Sequence, residues 1–257
     1  VSSQISFFSE SPHLLVVVRF LLLAFIKILA SVFFSWESAW IGPKPDDVWN
    51  RIRLVVILNH TSLFEPVFSR LLPFGFLWRL SRYASLPAAD KTMNRPIAGV
   101  FFKLLVPSVI SITRNRDATW SNYLGGIAPE AIVMIAPEGR MKRPNGLDKD
   151  GKPMTVRGGV AEILKMINQG YMLLAYSGGL HHMQSPGQKF PRLFRRLRMN
   201  LEVVSIPEYI KKIEQDELQQ NKDPQSFKVA VIKDLEYRRD SNCPVSDDLT
   251  FRKKTDL

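Results

Sequence analysis

At 257 residues, with 46% apolar and 23% charged side chains, the chain can bury one large core, or one core plus an appendage, which excludes wholesale disorder. Its single cysteine, Cys243, excludes an intramolecular disulfide, and no Cys–His set has zinc-site spacing. A net charge of +11 points to an anionic partner: nucleic acid, an acidic membrane surface, or a phosphorylated or acidic substrate.

The segment from Leu14 to Trp36 is almost entirely apolar. As a helix it would be roughly 35 Å long, enough to cross a bilayer. Arg19 and Lys27 interrupt it and fall roughly 80° apart around a helix, with Ala30 and Ser31 near the same sector. This predicts a helix lying partly in one leaflet, with a narrow basic stripe and a wide apolar face. Phe33, Phe34, Trp36 and Trp40 crowd its end, as aromatics do at a membrane–water boundary. Gly42 to Asp47 reads as a linker. Residues 1–43 are therefore read as a membrane-associated segment and 44–257 as the main domain, with a polar tail from about residue 241.

Within the domain, short apolar runs alternate with helical patterns. Strands are predicted at Arg53–Leu58, Val106–Thr113, Ala131–Ala136, Tyr171–Tyr176 and Leu201–Ile206, and helices at Ser62–Leu72 and Val160–Gln169. Glu208 to Gln220 is helical in character, and Asp223-Pro224 reads as the cap and first residue of another helix. The pattern predicts an α/β fold: a mixed, mostly parallel sheet flanked by helices, with its chemistry at strand ends. Lys189, Arg192, Arg195, Arg196 and Arg198, interleaved with Phe190, Leu193, Phe194 and Leu197, suit an interfacial helix or a solvated basic helix face.

The chemistry-bearing residues follow the strands. Leu58-Asn59-His60-Thr61-Ser62-Leu63-Phe64-Glu65 sets a histidine five positions before a carboxylate, a pattern for a general base held in one tautomer by an acid. Arg114 and Arg116 follow the second predicted strand. Pro137-Glu138-Gly139-Arg140 follows the third, with a proline to stop the strand and a glycine to permit a tight turn. Ser177-Gly178-Gly179 follows the fourth. A base, several cations and glycine-rich turns at successive strand ends describe a pocket for a phosphorylated acceptor, since arginine matches phosphate geometry. Ser62 lacks the Gly-x-Ser-x-Gly elbow of a hydrolase nucleophile. His181 and His182 have no third ligand at metal spacing.

Taken in order, these segments resemble the motifs of the glycerolipid acyltransferase family, which includes lysophosphatidate and glycerol-3-phosphate acyltransferases. Asn59, His60 and Glu65 match its Asn-His-x4-Asp motif, with Glu in place of Asp. Pro96-Ile97-Ala98-Gly99 and then Arg114 match its second motif, and Pro137-Glu138-Gly139 its third. Arg157-Gly158 matches the basic residue and glycine that follow, and Leu173 to Gly179 loosely matches the fourth. The resemblance implies acyl transfer from a thioester of coenzyme A or acyl carrier protein to a lysophospholipid hydroxyl, with no bound cofactor and no metal. His60 would be the base and Glu65 its orienting acid. Pro137, Glu138, Gly139 and Gly158 would shape the acceptor site, and Arg114, Arg140 or Arg157 would contact phosphate. Arg140 directly follows Gly139 where the family has threonine, so either it takes the phosphate role one position early or the headgroup differs.

The expected partners are an anionic membrane surface, the lysophospholipid and the acyl thioester, with the active site facing the cytoplasm. Nucleic acid is not expected, because no helix-turn-helix or aromatic–basic signature accompanies the charge. The rival reading is a non-catalytic membrane-surface lipid-binding protein with a degenerate site. Oligomeric state is open.

Overall fold

Ile52–Leu58 is a run of buried and half-buried aliphatic residues broken only by Arg53, and it forms the strand on which the sheet is built. Burial on both faces is what a parallel sheet with helices on either side demands. The computed structural model describes residues 13–113, 118–185, 188, 190–218 and 226–245.

In chain order the elements are α1 (His13–Phe33), β1 (Phe34–Glu37), β2 (Trp40–Ile41), α2 (Val48–Arg51), β3 (Ile52–Leu58), a 3-10 segment (Glu65–Leu71), α3 (Phe74–Tyr83), β4 (Ala84–Ala89), α4 (Asp90–Met93) and α5 (Pro96–Leu105). There follow β5 (Ser108–Ile112), α6 (Thr119–Gly125), β6 (Ile132–Ile135), α7 (Gly159–Ile167), β7 (Tyr171–Ser177), β8 (Arg195–Ser205), α8 (Ile206–Leu218) and α9 (Ser226–Asn242). The sheet order is β1-β8-β7-β3-β6-β4-β5, with β2 also paired to β8. β7, β3, β6, β4 and β5 run parallel, and β8 is antiparallel to β7. The expected mixed, mostly parallel α/β sheet is therefore the fold.

Two cores lie on opposite faces of the sheet. One joins α6, α7, α8 and α9 through Tyr123, Leu164, Tyr209 and Leu235. The other joins α1, α2, α3 and the 3-10 segment through Leu23, Val48, Leu77 and Phe68. The parallel strands present their C-terminal ends on one edge, where Asn59, Ala136 and Gly178 begin the loops that carry the motifs.

Three sequence expectations change. The basic stretch ending at Arg198 is not a helix: Arg195–Arg198 lie in β8, paired with Phe34–Glu37 of β1. Leu197, Met199 and Leu201 face the core with Arg198 and Asn200 between them, a period of two that the arginine cluster obscures. β4 was not expected, because Pro87 and three alanines give no apolar alternation. β6 pairs only with Ala84 and Ser85, so Pro87 has a neighbouring strand on its β5 side alone and its missing N–H is tolerated.

The third change concerns α1. Its basic stripe points inward, not toward headgroups. Arg19 is buried with Val16, Leu23 and Ala30. The Lys27 ammonium donates to the carbonyls of Arg70 (2.7 Å) and Leu72 (2.9 Å), at the end of the 3-10 segment. Leu14, Leu21, Phe25, Ile28 and Val32 form one exposed stripe on the opposite side. Among the described residues, α1 is the helix long and apolar enough to cross a membrane. The start of the expected tail is also packed, since Asn200 Nδ2–H donates to the Asn242 carbonyl (3.0 Å) and Arg198 to that of Val245 (3.1 Å).

Candidate active site

β3 delivers the chain to Asn59, which takes a left-handed φ of 63°. Asparagine tolerates that conformation better than most residues with a side chain, and three bonds hold it here. Its N–H donates to Glu138 Oε1 (3.1 Å), its Nδ2–H to the Ser177 carbonyl (2.7 Å), and its Oδ1 accepts from Lys142 Nζ (3.2 Å). The next residue is fixed the same way. His60 N–H donates to Glu138 Oε2 (2.8 Å), and its carbonyl accepts from Lys142 N–H (2.8 Å). The ends of β3, β6 and β7 are thus tied together around one histidine.

His60 Nδ1 lies 2.7 Å from Glu65 Oε1. Glu65 opens the 3-10 segment, and its extra methylene spans the gap from there to the ring. With the carboxylate ionised, Nδ1–H donates to it, which leaves Nε2 as the unprotonated nitrogen of a ring that lines the cavity. Burial pushes the imidazole's pKa down. The Glu65 carboxylate, its hydrogen bond and the more distant Glu138 outweigh this, so the pKa is held above its usual value. Ser62 is buried and its Oγ accepts the Phe64 N–H (3.1 Å), which makes it part of the turn.

The residues after β6 support this pair from behind. Glu138 is 2% exposed and turns its carboxylate toward backbone, away from the cavity. Burial holds its pKa above the usual carboxylate value, and the N–H groups of His60 and Asn59 and the Arg239 guanidinium offset only part of that rise. Arg157 N–H donates to the Pro137 carbonyl (2.9 Å) and its Nε–H to that of Glu138 (3.3 Å). Gly139 has φ of 62°, and a Cβ there would come within 3.1 Å of Arg157, so this glycine serves both the turn and the stacked side chain. Gly158 faces Lys228 of α9, where a side chain would collide. Pro137, Glu138 and Arg157 are therefore brought beside the histidine loop as its support, while Gly158 packs against α9.

One face of α9 completes that support, and nothing in the residue pattern points to it. Glu236 accepts the Val156 N–H (2.9 Å). Arg239 donates to the Met154 carbonyl (2.9 Å) and stands 3.5 Å from Glu138. These contacts span 80 positions of sequence or more, so no local motif could reveal them.

The cavity has a volume of about 360 Å³. It runs from the strand ends beneath α1 to Leu23, Leu80, Leu173 and Leu201, and its interior is apolar. Its polar end carries His60 and Glu65 together with Lys91, Arg95, Arg143 and Lys149. Lys91 and Arg95 come from the segment after β4, so the unrecognised strand hid them. Arg140 also lines the cavity, but its Nη1 is paired with Asp148 and lies 3.4 Å from Asp150. Arg114 and Arg116 lie outside the described residues. His181 and His182 donate to or accept from the backbone around Lys142 and Arg196, each at 2.7 Å. Among the described residues no group of three or more His, Cys, Asp or Glu side chains is placed to hold a metal.

No protein-family profile matches the chain, and no curated protein sequence does. Among solved structures it is similar to the 1-acyl-sn-glycerophosphate (LPA) acyltransferase PlsC from Thermotoga maritima, with a TM-score of 0.46 and 15% identity over 87% of this chain and 81% of that one. At this level of likeness, function has to be argued from the site itself.

Proposed function

We propose that this chain is a membrane-associated O-acyltransferase that moves a fatty acyl group from an acyl thioester to the hydroxyl of a lysophospholipid. The observation that carries the reading is a His60–Glu65 pair at the boundary of a cavity that is cationic at one end and apolar inside. Such a cavity suits a molecule with a phosphate, a hydroxyl and an acyl chain, and a hydroxyl is what a histidine base activates. The ordered resemblance of the motifs around Asn59, Glu65 and Glu138 supports the same chemistry.

In this reading the acceptor hydroxyl gives its proton to His60 Nε2 as its oxygen attacks the thioester carbonyl. The C–S bond then breaks, and the proton passes from His60 to the departing thiolate. Glu65 keeps Nδ1 protonated and stabilises the imidazolium between the two transfers. No acyl-enzyme forms. Lys91, Arg95 and Arg143 would meet the acceptor phosphate, with Arg140 occupied by its aspartates. The outward stripe of α1 would rest in the lipid that supplies the acceptor. The donor would be acyl-CoA or acyl-acyl carrier protein.

Thiol release from acyl-CoA that depends on added lysophosphatidate tests this reading. Glu65→Gln is expected to lower the rate by about 10²-fold or more, and Glu65→Asp to retain more activity than Glu65→Gln. The pH profile carries a second sign. The working base is neutral His60, so activity falls as pH drops through its raised pKa. Removing the Glu65 charge lowers that pKa, so the acid limb of Glu65→Gln should move to lower pH. An unmoved limb would show that Glu65 does not tune the histidine.

A further inference from the structure

The segment leading into β8 leaves three large apolar side chains outside the fold. Phe190 is 82% exposed, Phe194 75% and Leu193 43%. A contiguous apolar tip of this kind marks a contact surface. The tip is also built. Phe194 adopts φ of 58°, a left-handed conformation uncommon for a residue with a side chain. Its N–H donates to the Phe33 carbonyl (2.7 Å), and its ring meets the Phe33 ring edge-on at 6.0 Å between centroids. Arg192 N–H donates to the Met183 carbonyl (2.7 Å). The backbone is therefore pinned at two points while the rings project, where collapse onto the sheet would have buried them.

The tip adjoins α1. Val32, the last residue of the outward stripe, and Phe194 line the same shallow depression. The apolar face of α1 and the tip thus form one continuous surface. Cations rim it: Arg195 is exposed, and Arg196 is half exposed, 3.0 Å from Glu37.

We propose that residues 190–194 insert into the headgroup layer of an anionic bilayer as a second membrane contact beside the end of α1. Apolar rings ringed by arginines match a lipid surface, where the rings enter the acyl boundary and the guanidinium groups meet phosphates. A protein partner would need no such basic rim, and the net charge of +11 favours an acidic surface. The proposal rests on reading α1 as the first membrane contact.

The test is co-sedimentation with vesicles of phosphatidylcholine alone or mixed with phosphatidylglycerol. It compares the wild-type chain, Phe190→Ser, and Phe190→Ser with Phe194→Asn, since asparagine tolerates the left-handed backbone. In parallel, acyl transfer is measured with a short-chain lysolipid kept monomeric. The double variant is expected to lose tenfold or more in partition to phosphatidylglycerol vesicles, Phe190→Ser to lose part of that, and both to act on monomeric lysolipid at the wild-type rate. Arg195→Gln with Arg196→Gln should narrow the preference for phosphatidylglycerol over phosphatidylcholine. Unchanged vesicle affinity in both phenylalanine variants would overturn the proposal. So would a double variant that no longer melts cooperatively while Phe190→Ser keeps full vesicle affinity, or a wild type that binds neither vesicle. If the wild type transfers no acyl group but the vesicle pattern holds, the enzymatic reading fails and the membrane contact stands.

Discussion

Replacing His60 with alanine is expected to lower acyl transfer by about 10³-fold, within the range a positioned base contributes. The imidazole is the group that both pairs with the orienting carboxylate and lines the cavity. The loss should appear mainly in kcat, because Lys91, Arg95 and the apolar interior that would hold substrate are untouched. Stability should fall too: the half-buried Glu65 carboxylate loses its histidine and keeps only the Thr61 N–H at 3.4 Å, a cost of about 1–3 kcal/mol. Vesicle binding, proposed for α1 and residues 190–194, should be unchanged. Adding Glu65→Gln to His60→Ala should cost little more, because the two side chains act as one unit. An additive double variant would mean that Glu65 has a separate task.

Glu138→Gln should be nearly as damaging, by a different route. Both carboxylate oxygens accept backbone N–H groups, from Asn59 at 3.1 Å and His60 at 2.8 Å. An amide offers one acceptor oxygen and sets an NH2 against the other N–H, leaving a buried donor unpaired at about 1–3 kcal/mol. The left-handed turn at Asn59 then loses a clamp, and a base displaced by about 1 Å can cost 10²-fold in rate. In a chain of this size each kcal/mol moves the melting midpoint by roughly 2–4 °C. A fall in both Tm and kcat would mark Glu138 as the support of the histidine loop. A rise in KM for lysolipid with unchanged kcat and Tm would instead place it in contact with the acceptor. Arg239→Gln should reproduce a milder form of the first pattern, through the lost contact with Glu138 and the lost bond to the Met154 carbonyl.

What the sequence revealed was local. β3, the turn at Asn59 and the five-residue spacing of His60 and Glu65 lie in one short stretch, so periodicity and residue type sufficed to place them. The same holds for β6 and the Pro137–Gly139 turn. Three things were not legible. Lys91 and Arg95 were hidden behind a strand whose proline and alanines give no alternation, and their place at the cavity depends on β4 pairing with β6. The Glu138–Arg239 contact joins residues about a hundred positions apart. Residue spacing places the basic stripe of α1 but not the side it turns to, which packing decides. In the fold, Lys27 finds the unpaired carbonyls at the end of the 3-10 segment, and that contact turns the stripe inward.

The same inward turn sharpens the membrane reading. A helix whose cations face its own domain has no polar stripe left to present to water, and its outward face is apolar along its length. An acceptor lipid at that surface would lie close to the cavity that passes beneath Leu23.

The most direct measurement is to incubate the purified chain with acyl-CoA and a panel of lysophosphatidate, other lysophospholipids and monoacylglycerol, and to read products by mass spectrometry. The account predicts a diacyl product that requires both substrates, forms on phosphate-bearing acceptors in preference to monoacylglycerol, and vanishes with His60→Ala. A chain that binds lysolipid-containing vesicles yet yields no acylated product from any acceptor would contradict it, and would leave a lipid-binding protein with an unused histidine–glutamate pair.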